Sequence, residues 1–139
     1  MALVVAAGAQ AQTPRPGEDA CTSLVPAAMG GPTPKAKDMI VLRWLSTSNY
    51  ELAFRGQVFL LDAYFDRGPR NRLTGVVPHE VKQADAIFIG HAHFDHMSDA
   101  APIAQRTKAK VFGAPITIET ATKLGLPQGQ GTPVAAGKR

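Results

Sequence analysis

The sequence predicts an α/β domain, a mixed sheet with helices on its outer face, and three observations predict it. Residues Ile40 to Leu45 alternate with a period of two and are rich in branched and aromatic side chains, which is strand patterning. From Asp85 onward, strand-like and helix-like stretches alternate, as they do in an α/β layer. At the start of that alternation lies an apolar run, Ala86-Ile87-Phe88-Ile89, that ends in a burst of side chains able to bind metal.

The N-terminal stretch is short and apolar from Ala2 to Ala9, and Ala9-Gln10-Ala11 has the small-x-small pattern that a signal peptidase cuts after. Residues 1–11 are therefore expected to be a signal-peptide-like segment, although a positive region before the apolar run is lacking. The expected location is secreted or periplasmic, with the cytoplasm as the alternative. The run is too short to span a bilayer, and no transmembrane segment is expected. Residues 12–37 are rich in Pro, Gly, Ala and Thr without a hydrophobic period, and are expected to form an extended linker. The single cysteine, Cys21, lies there and makes no internal disulfide.

Residues 38–139 are expected to hold the folded domain. After the first strand, a second is predicted at about Tyr50 to Phe54 and a third over Gln57 to Ala63. Arg55-Gly56 has the length of a two-residue hairpin, with Gly supplying a positive φ. The third strand, Val58-Phe59-Leu60-Leu61, is apolar on both faces and is expected to be central. Phe65 to Val77 reads as a loop, and Pro78 to Lys82 as a short helical turn. Asp85 to Gly90 is predicted as a strand, with Gly90 allowing a sharp bend. Ser98 or Asp99 is expected to cap a helix, and a cap at Asp99 places Pro102 in its first turn. Lys110 to Gly113 reads as a strand, Pro115 to Leu124 as a helix that Gly125 ends, and Thr132 to Ala136 as the start of one more strand.

The densest chemistry is His91-Ala92-His93-Phe94-Asp95-His96, which holds three of the four histidines in the chain. Neutral imidazole binds zinc, iron or manganese, and a carboxylate adds oxygen and negative charge. In extended backbone, His91 and His93 point the same way and can reach one ion together. Asp95 and His96 fall where the chain turns into a helix, which can swing them toward a second ion. Two ions about 3.5–4 Å apart would hold a water between them. His79 follows Pro78 in a loop-like stretch and is not expected to be a ligand.

This run resembles the HxHxDH signature of the metallo-β-lactamase superfamily, and residues 39–126 resemble the N-terminal half of its αβ/βα sandwich. Leu61-Asp62-Ala63-Tyr64-Phe65 and Ala84-Asp85-Ala86-Ile87-Phe88-Ile89-Gly90 are similar to the branch of ascorbate-6-phosphate lactonase-like hydrolases. The resemblance implies a metal-dependent hydrolase acting on a small molecule with an ester, lactone, amide or phosphodiester bond. It implies zinc, one or two ions, with iron or manganese as the alternatives. It implies His91, His93, Asp95 and His96 as ligands, with Asp95 also orienting the attacking water and shuttling its proton. Asp62 would hydrogen-bond the backbone of the histidine loop and hold it rigid. The branch often carries a histidine in its first hairpin, where this chain has Ser46-Thr47-Ser48-Asn49. The family also uses a later histidine, a bridging aspartate and a final histidine, whereas no His follows His96 and no Asp follows Asp99. The expectation is therefore a partial domain whose missing C-terminal half completes the sandwich. An iron-dependent redox relative and a non-catalytic binding half-domain are the alternatives.

Composition sets looser bounds. A chain of 139 residues makes one domain at most, and 45% hydrophobic content is ordinary. The formal charge of +4 is mild, and no basic stripe interleaved with aromatics points to nucleic acid. Arg67, Arg70 and Arg72 cluster after the strand that carries Asp62. They read as a solvated loop, with contact to an anionic substrate as the alternative.

Overall fold

A computed structural model describes residues 25–72, 74–135 and 137. The signal-like segment and Cys21 lie outside the described residues. Six strands form one sheet in chain order: β1 (Ile40–Ser46), β2 (Asn49–Phe54), β3 (Gln57–Leu61), β4 (Ala86–Phe88), β5 (Lys110–Gly113) and β6 (Gly131–Pro133). The first three strands pair antiparallel, and β3 to β6 pair parallel. The parallel pairs need crossovers. Helices α1 (Phe94–Met97) and α2 (Ala100–Thr107) connect β4 to β5, and α3 (Pro115–Lys123) connects β5 to β6.

The alternation seen in the sequence sets the two faces of the sheet. Val41, Ala53, Val58, Leu60, Ile87 and Val111 are buried on one face, in a cluster with Met97, Ile103, Ala104 and Ala121 from the helices. Leu60, Ile87 and Ile103 have no accessible surface. Burial of each such side chain stabilises by about 1.5–3 kcal/mol relative to exposure. The opposite face carries Ile40, Leu42 and Trp44, which are 59%, 59% and 67% exposed. On this face the rings of Phe59, Phe88 and Phe112 lie in a row, with centroids 6.3 and 5.0 Å apart. β3 is thus central in the sheet, but only its inward face is covered by helices.

The β2–β3 hairpin uses a positive φ at both turn residues, 49° at Arg55 and 80° at Gly56. That pair of left-handed residues matches the twist of the flanking strands. A glycine is also needed at Gly113, where a Cβ would lie 2.9 Å from Thr117 Cγ2 and 3.1 Å from Thr117 Cβ. The missing side chain lets the first turn of α3 settle on the end of β5.

The stretch expected to be linker is described from Val25 onward. There, Ala27–Met29 form a 3-10 turn whose first two residues are buried. The cause is Glu51 on β2, which is fully buried. Its carboxylate accepts the N–H groups of Ala27 (3.0 Å) and Ala28 (2.6 Å) and pairs with Arg43 Nη1 on β1 (2.7 Å). A buried charge persists only when paired and hydrogen-bonded, and both conditions are met. Among the described residues, no helix is long and apolar enough to cross a membrane.

Candidate metal centre

Two neighbouring parallel strands end together, and their ends carry the chemistry. β3 stops at Leu61 and β4 at Phe88. Asp62 N–H donates to Phe88 O at 2.8 Å, and Gly90 N–H donates to Asp62 Oδ1 at 2.8 Å. Polar groups released by the strand ends are thereby satisfied across the gap. The bend expected at Gly90 does not use left-handed glycine backbone. The left-handed residue at this place is Asp62, with φ of 59°. Such a conformation is unfavourable by about 1–2 kcal/mol for most residues, and Asp is among the few that adopt it. It turns the Asp62 carboxylate onto the histidine loop.

The other carboxylate oxygen of Asp62 lies 2.6 Å from His96 Nδ1. A carboxylate only accepts, so Nδ1 carries the proton, and Nε2 keeps its lone pair. Ser48 Oγ, in the β1–β2 turn, lies 3.3 Å from the same Nδ1. Backbone bonds fix the surroundings: Ala63 N–H donates to His96 O at 2.7 Å, and Asp99 N–H to Ala63 O at 2.9 Å. Asn49, fully buried, exchanges two bonds with the backbone of Tyr64, at 2.8 and 3.0 Å. The turn Ser46 to Asn49, the segment after β3 and the histidine loop are therefore one stitched unit.

Within this frame His91, Asp95 and His96 each place a nitrogen or oxygen within 4.8 Å of the other two. His96 Nε2 is 3.8 Å from Asp95 Oδ2, and the His91 and His96 rings lie 3.8 Å apart. His93 is exposed at the start of α1 and stands outside this trio. It meets His91 alone, with His91 Nε2 3.0 Å from His93 Nδ1. The sequence grouped His91 with His93 and Asp95 with His96. The structure keeps both pairs and also brings His91 to Asp95 and His96, because the single turn of α1 places those two beside the strand end. His79 sits exposed on the Pro78–Glu80 turn, with its own neighbour Glu80 at 3.9 Å.

Asp99 contributes more than the cap expected of it. It occupies the N-cap position of α2, but its side chain caps nothing there. Instead Oδ2 accepts the N–H groups of Phe65 (2.5 Å) and Asp66 (2.9 Å), 34 and 33 residues away. Burial pushes its carboxyl above the ordinary carboxylate range, against the lowering effect of the two N–H donors. The folded protein then holds this proton more tightly than the unfolded chain. Its contribution to stability is greatest below the ordinary carboxylate pKa and is lost as pH rises through the raised value. Urea titrations across that acid range should show the Asp99→Asn variant with a flatter fall in stability with rising pH than the parent. Identical pH profiles would contradict the assignment.

The donor set fits a metal ion. Two histidines and a carboxylate converge, one imidazole has its tautomer fixed by a carboxylate behind it, and such carboxylate–histidine pairs orient metal ligands. The 3.0 Å between His91 and His93 nitrogens is also close to the roughly 3.4 Å edge that tetrahedral zinc with two nitrogens at ~2.05 Å requires. The fold and this cluster define a class, α/β proteins that carry a metal site at the ends of parallel strands.

Comparison with known proteins narrows the class. The family described as "Beta-lactamase superfamily domain" matches residues 57–134, and the chain belongs to that superfamily. A UPF0173 metal-dependent hydrolase of Pyrobaculum aerophilum is 33% identical over 99 residues, covering 69% of this chain and 42% of the relative. Another from Myxococcus xanthus is 33% identical over 125 residues, covering 90% of this chain and 40% of the relative. The structure of Igni18, a metallo hydrolase from Ignicoccus hospitalis, aligns with a TM-score of 0.52 and 26% identity, over 71% of this chain and 41% of that one. The chain thus spans about two fifths of the length of the relatives it matches.

Proposed function

We propose that the chain carries the histidine-rich part of a metal-dependent hydrolase site. The observation that carries this reading is the convergence of His91, Asp95 and His96 within 4.8 Å, with Asp62 fixing His96 from behind. The relatives named metal-dependent hydrolases support it. His91, Asp95 and His96 would hold an ion through His96 Nε2, one Asp95 oxygen and a His91 nitrogen, with His93 as the neighbouring donor. When bound, zinc, or iron or manganese in its place, supplies the Lewis acidity that makes water a nucleophile near neutral pH. Asp62 holds the proton on His96 Nδ1 and so keeps Nε2 free. Asp95 Oδ2, on a half-buried side chain, would take a proton from the attacking water and deliver it to the leaving group.

The same reading extends to substrate and surroundings. The bond class we favour is ester or lactone, on the resemblance of residues 61–65 and 84–90 to the lactonase-like branch. The apolar face bearing Ile40, Leu42 and Trp44 is suited to a second sheet layer, and the greater length of the relatives supports that assignment. We also propose export from the cytoplasm, on the pattern Ala9-Gln10-Ala11.

Metal analysis of the intact protein, paired with hydrolysis of lactone, ester, amide and phosphodiester substrates, tests the reading. The expected result is one or two zinc ions per chain, with activity lost to a chelator and restored by zinc. Iron with a visible absorbance would favour the redox relative. A protein free of any divalent metal would end the proposal.

A further inference from the structure

The loop between β3 and β4 encloses a cavity of about 220 Å³ that none of the candidate metal ligands lines. Phe65, Val76 and Pro78 give it apolar walls, and Arg67, Arg72 and His79 bring positive or protonatable groups to it. Arg67 is the unusual member. Its Nε is buried and has no hydrogen-bond partner. Its Nη2 donates to Arg72 O at 2.9 Å, a bond that fixes the guanidinium without neutralising it. Among the described residues no carboxylate oxygen comes within 4.0 Å of this guanidinium. The adjacent Asp66 also lines the cavity, but its Oδ1 is engaged by Gly68 N–H at 3.0 Å rather than by this guanidinium.

An arginine cannot shed its proton, so burial of part of its guanidinium without a counter-charge is unfavourable. Folded proteins pair such groups or keep them for a ligand. The loop is also held firmly, since Asp99 anchors its first residues Phe65 and Asp66 to the segment that follows the histidines. A cavity with a fixed, unpaired guanidinium, a second arginine and apolar walls has the chemistry of an oxyanion site. We propose that this cavity binds the carboxylate or phosphate end of a small organic molecule. Arg67 is the charged anchor, and Phe65 and Val76 contact the adjoining carbon skeleton. The site does not depend on the metal reading, because its lining shares no residue with the metal cluster.

The test uses intact protein stripped of metal by chelator and dialysis, so that an anion cannot bind through an ion. Inorganic phosphate and phenyl phosphate serve as probes, with affinities measured by calorimetry. Phenyl phosphate should bind at least tenfold more tightly than inorganic phosphate, because only it uses the apolar walls. Arg67→Gln should weaken phenyl phosphate at least tenfold. Arg67→Lys should lose less, since it keeps the charge without the planar fork. Arg55→Gln, on the distant β2–β3 hairpin, should change nothing. Ligand-free Arg67→Gln should melt at or above the parent temperature, because the substitution removes a cation whose Nε is buried without a hydrogen-bond partner. Equal affinity for the two probes would show a site for free oxyanions and overturn the organic-ligand assignment. Absence of phenyl phosphate binding at millimolar concentration, or binding that Arg67→Gln and Arg67→Lys leave intact, would overturn the site itself.

Discussion

The Asp62→Asn variant of the intact protein is expected to bind its metal about 10–100-fold more weakly while keeping its fold. Asn adopts the left-handed backbone that Asp62 requires, φ of 59°, about as readily as Asp does. Its amide oxygen can still accept Gly90 N–H in place of Oδ1. What it cannot do is present a second acceptor 2.6 Å from His96 Nδ1, because an NH2 group would stand there. His96 would then lose the partner that fixes its tautomer, and Nε2 would no longer be held ready. Ser48 Oγ, at 3.3 Å, is too distant to replace a charged acceptor. Metal affinity by competition with a chelating dye reads the effect, and the thermal midpoint of the metal-free protein provides the control. Parent-like affinity in Asp62→Asn would show that the carboxylate does not orient His96.

The largest effect on stability is expected at Glu51. Glu51→Ala would remove the carboxylate that pairs with Arg43 Nη1 at 2.7 Å, on a side chain only 13% exposed, and strand the N–H groups of Ala27 and Ala28. Removing one partner of a buried charge pair is destabilising by about 3–5 kcal/mol. Glu51→Gln keeps one acceptor and the shape, so its loss should be smaller. Urea unfolding measures both. A Glu51→Ala loss below about 1 kcal/mol would mean that the N-terminal turn docks by apolar contact alone.

Much of the sheet was legible because its signals are local. The alternation of Ile40 to Leu45, the Arg55-Gly56 turn and the Pro115 and Gly125 boundaries each specify their own neighbourhood. The structure returns them as β1, a two-residue hairpin and α3 with shifts of one or two residues. β4 is shorter than the predicted Asp85 to Gly90. Asp85 and the residues after Phe88 are taken up by side-chain and loop bonds, such as Val58 N–H to Asp85 Oδ2 at 2.7 Å. The unreadable parts are those whose partners are far along the chain. A glutamate on a strand reads as a solvated residue, and only the fold brings Ala27 and Ala28 back over Glu51. Asp99 reads as a helix cap, and only the fold offers it the N–H groups of Phe65 and Asp66. The alternation of Ile40, Leu42 and Trp44 likewise marks a strand but does not say which side of it stays exposed. At the centre itself, the run of histidines was plain from the sequence. The approach of His91 to Asp95 and His96 was not, because whether Asp95 turns toward His91 or away depends on where α1 begins.

Locating the ion directly is the most decisive measurement. A crystal of the intact protein grown with metal, with anomalous data at the metal's absorption edge, should place an ion within about 2.0–2.3 Å of a nitrogen of His91, Nε2 of His96 and an oxygen of Asp95. Absence of an anomalous peak at that position, or His96 turned so that Nδ1 faces the ion and Nε2 faces Asp62, would contradict the account.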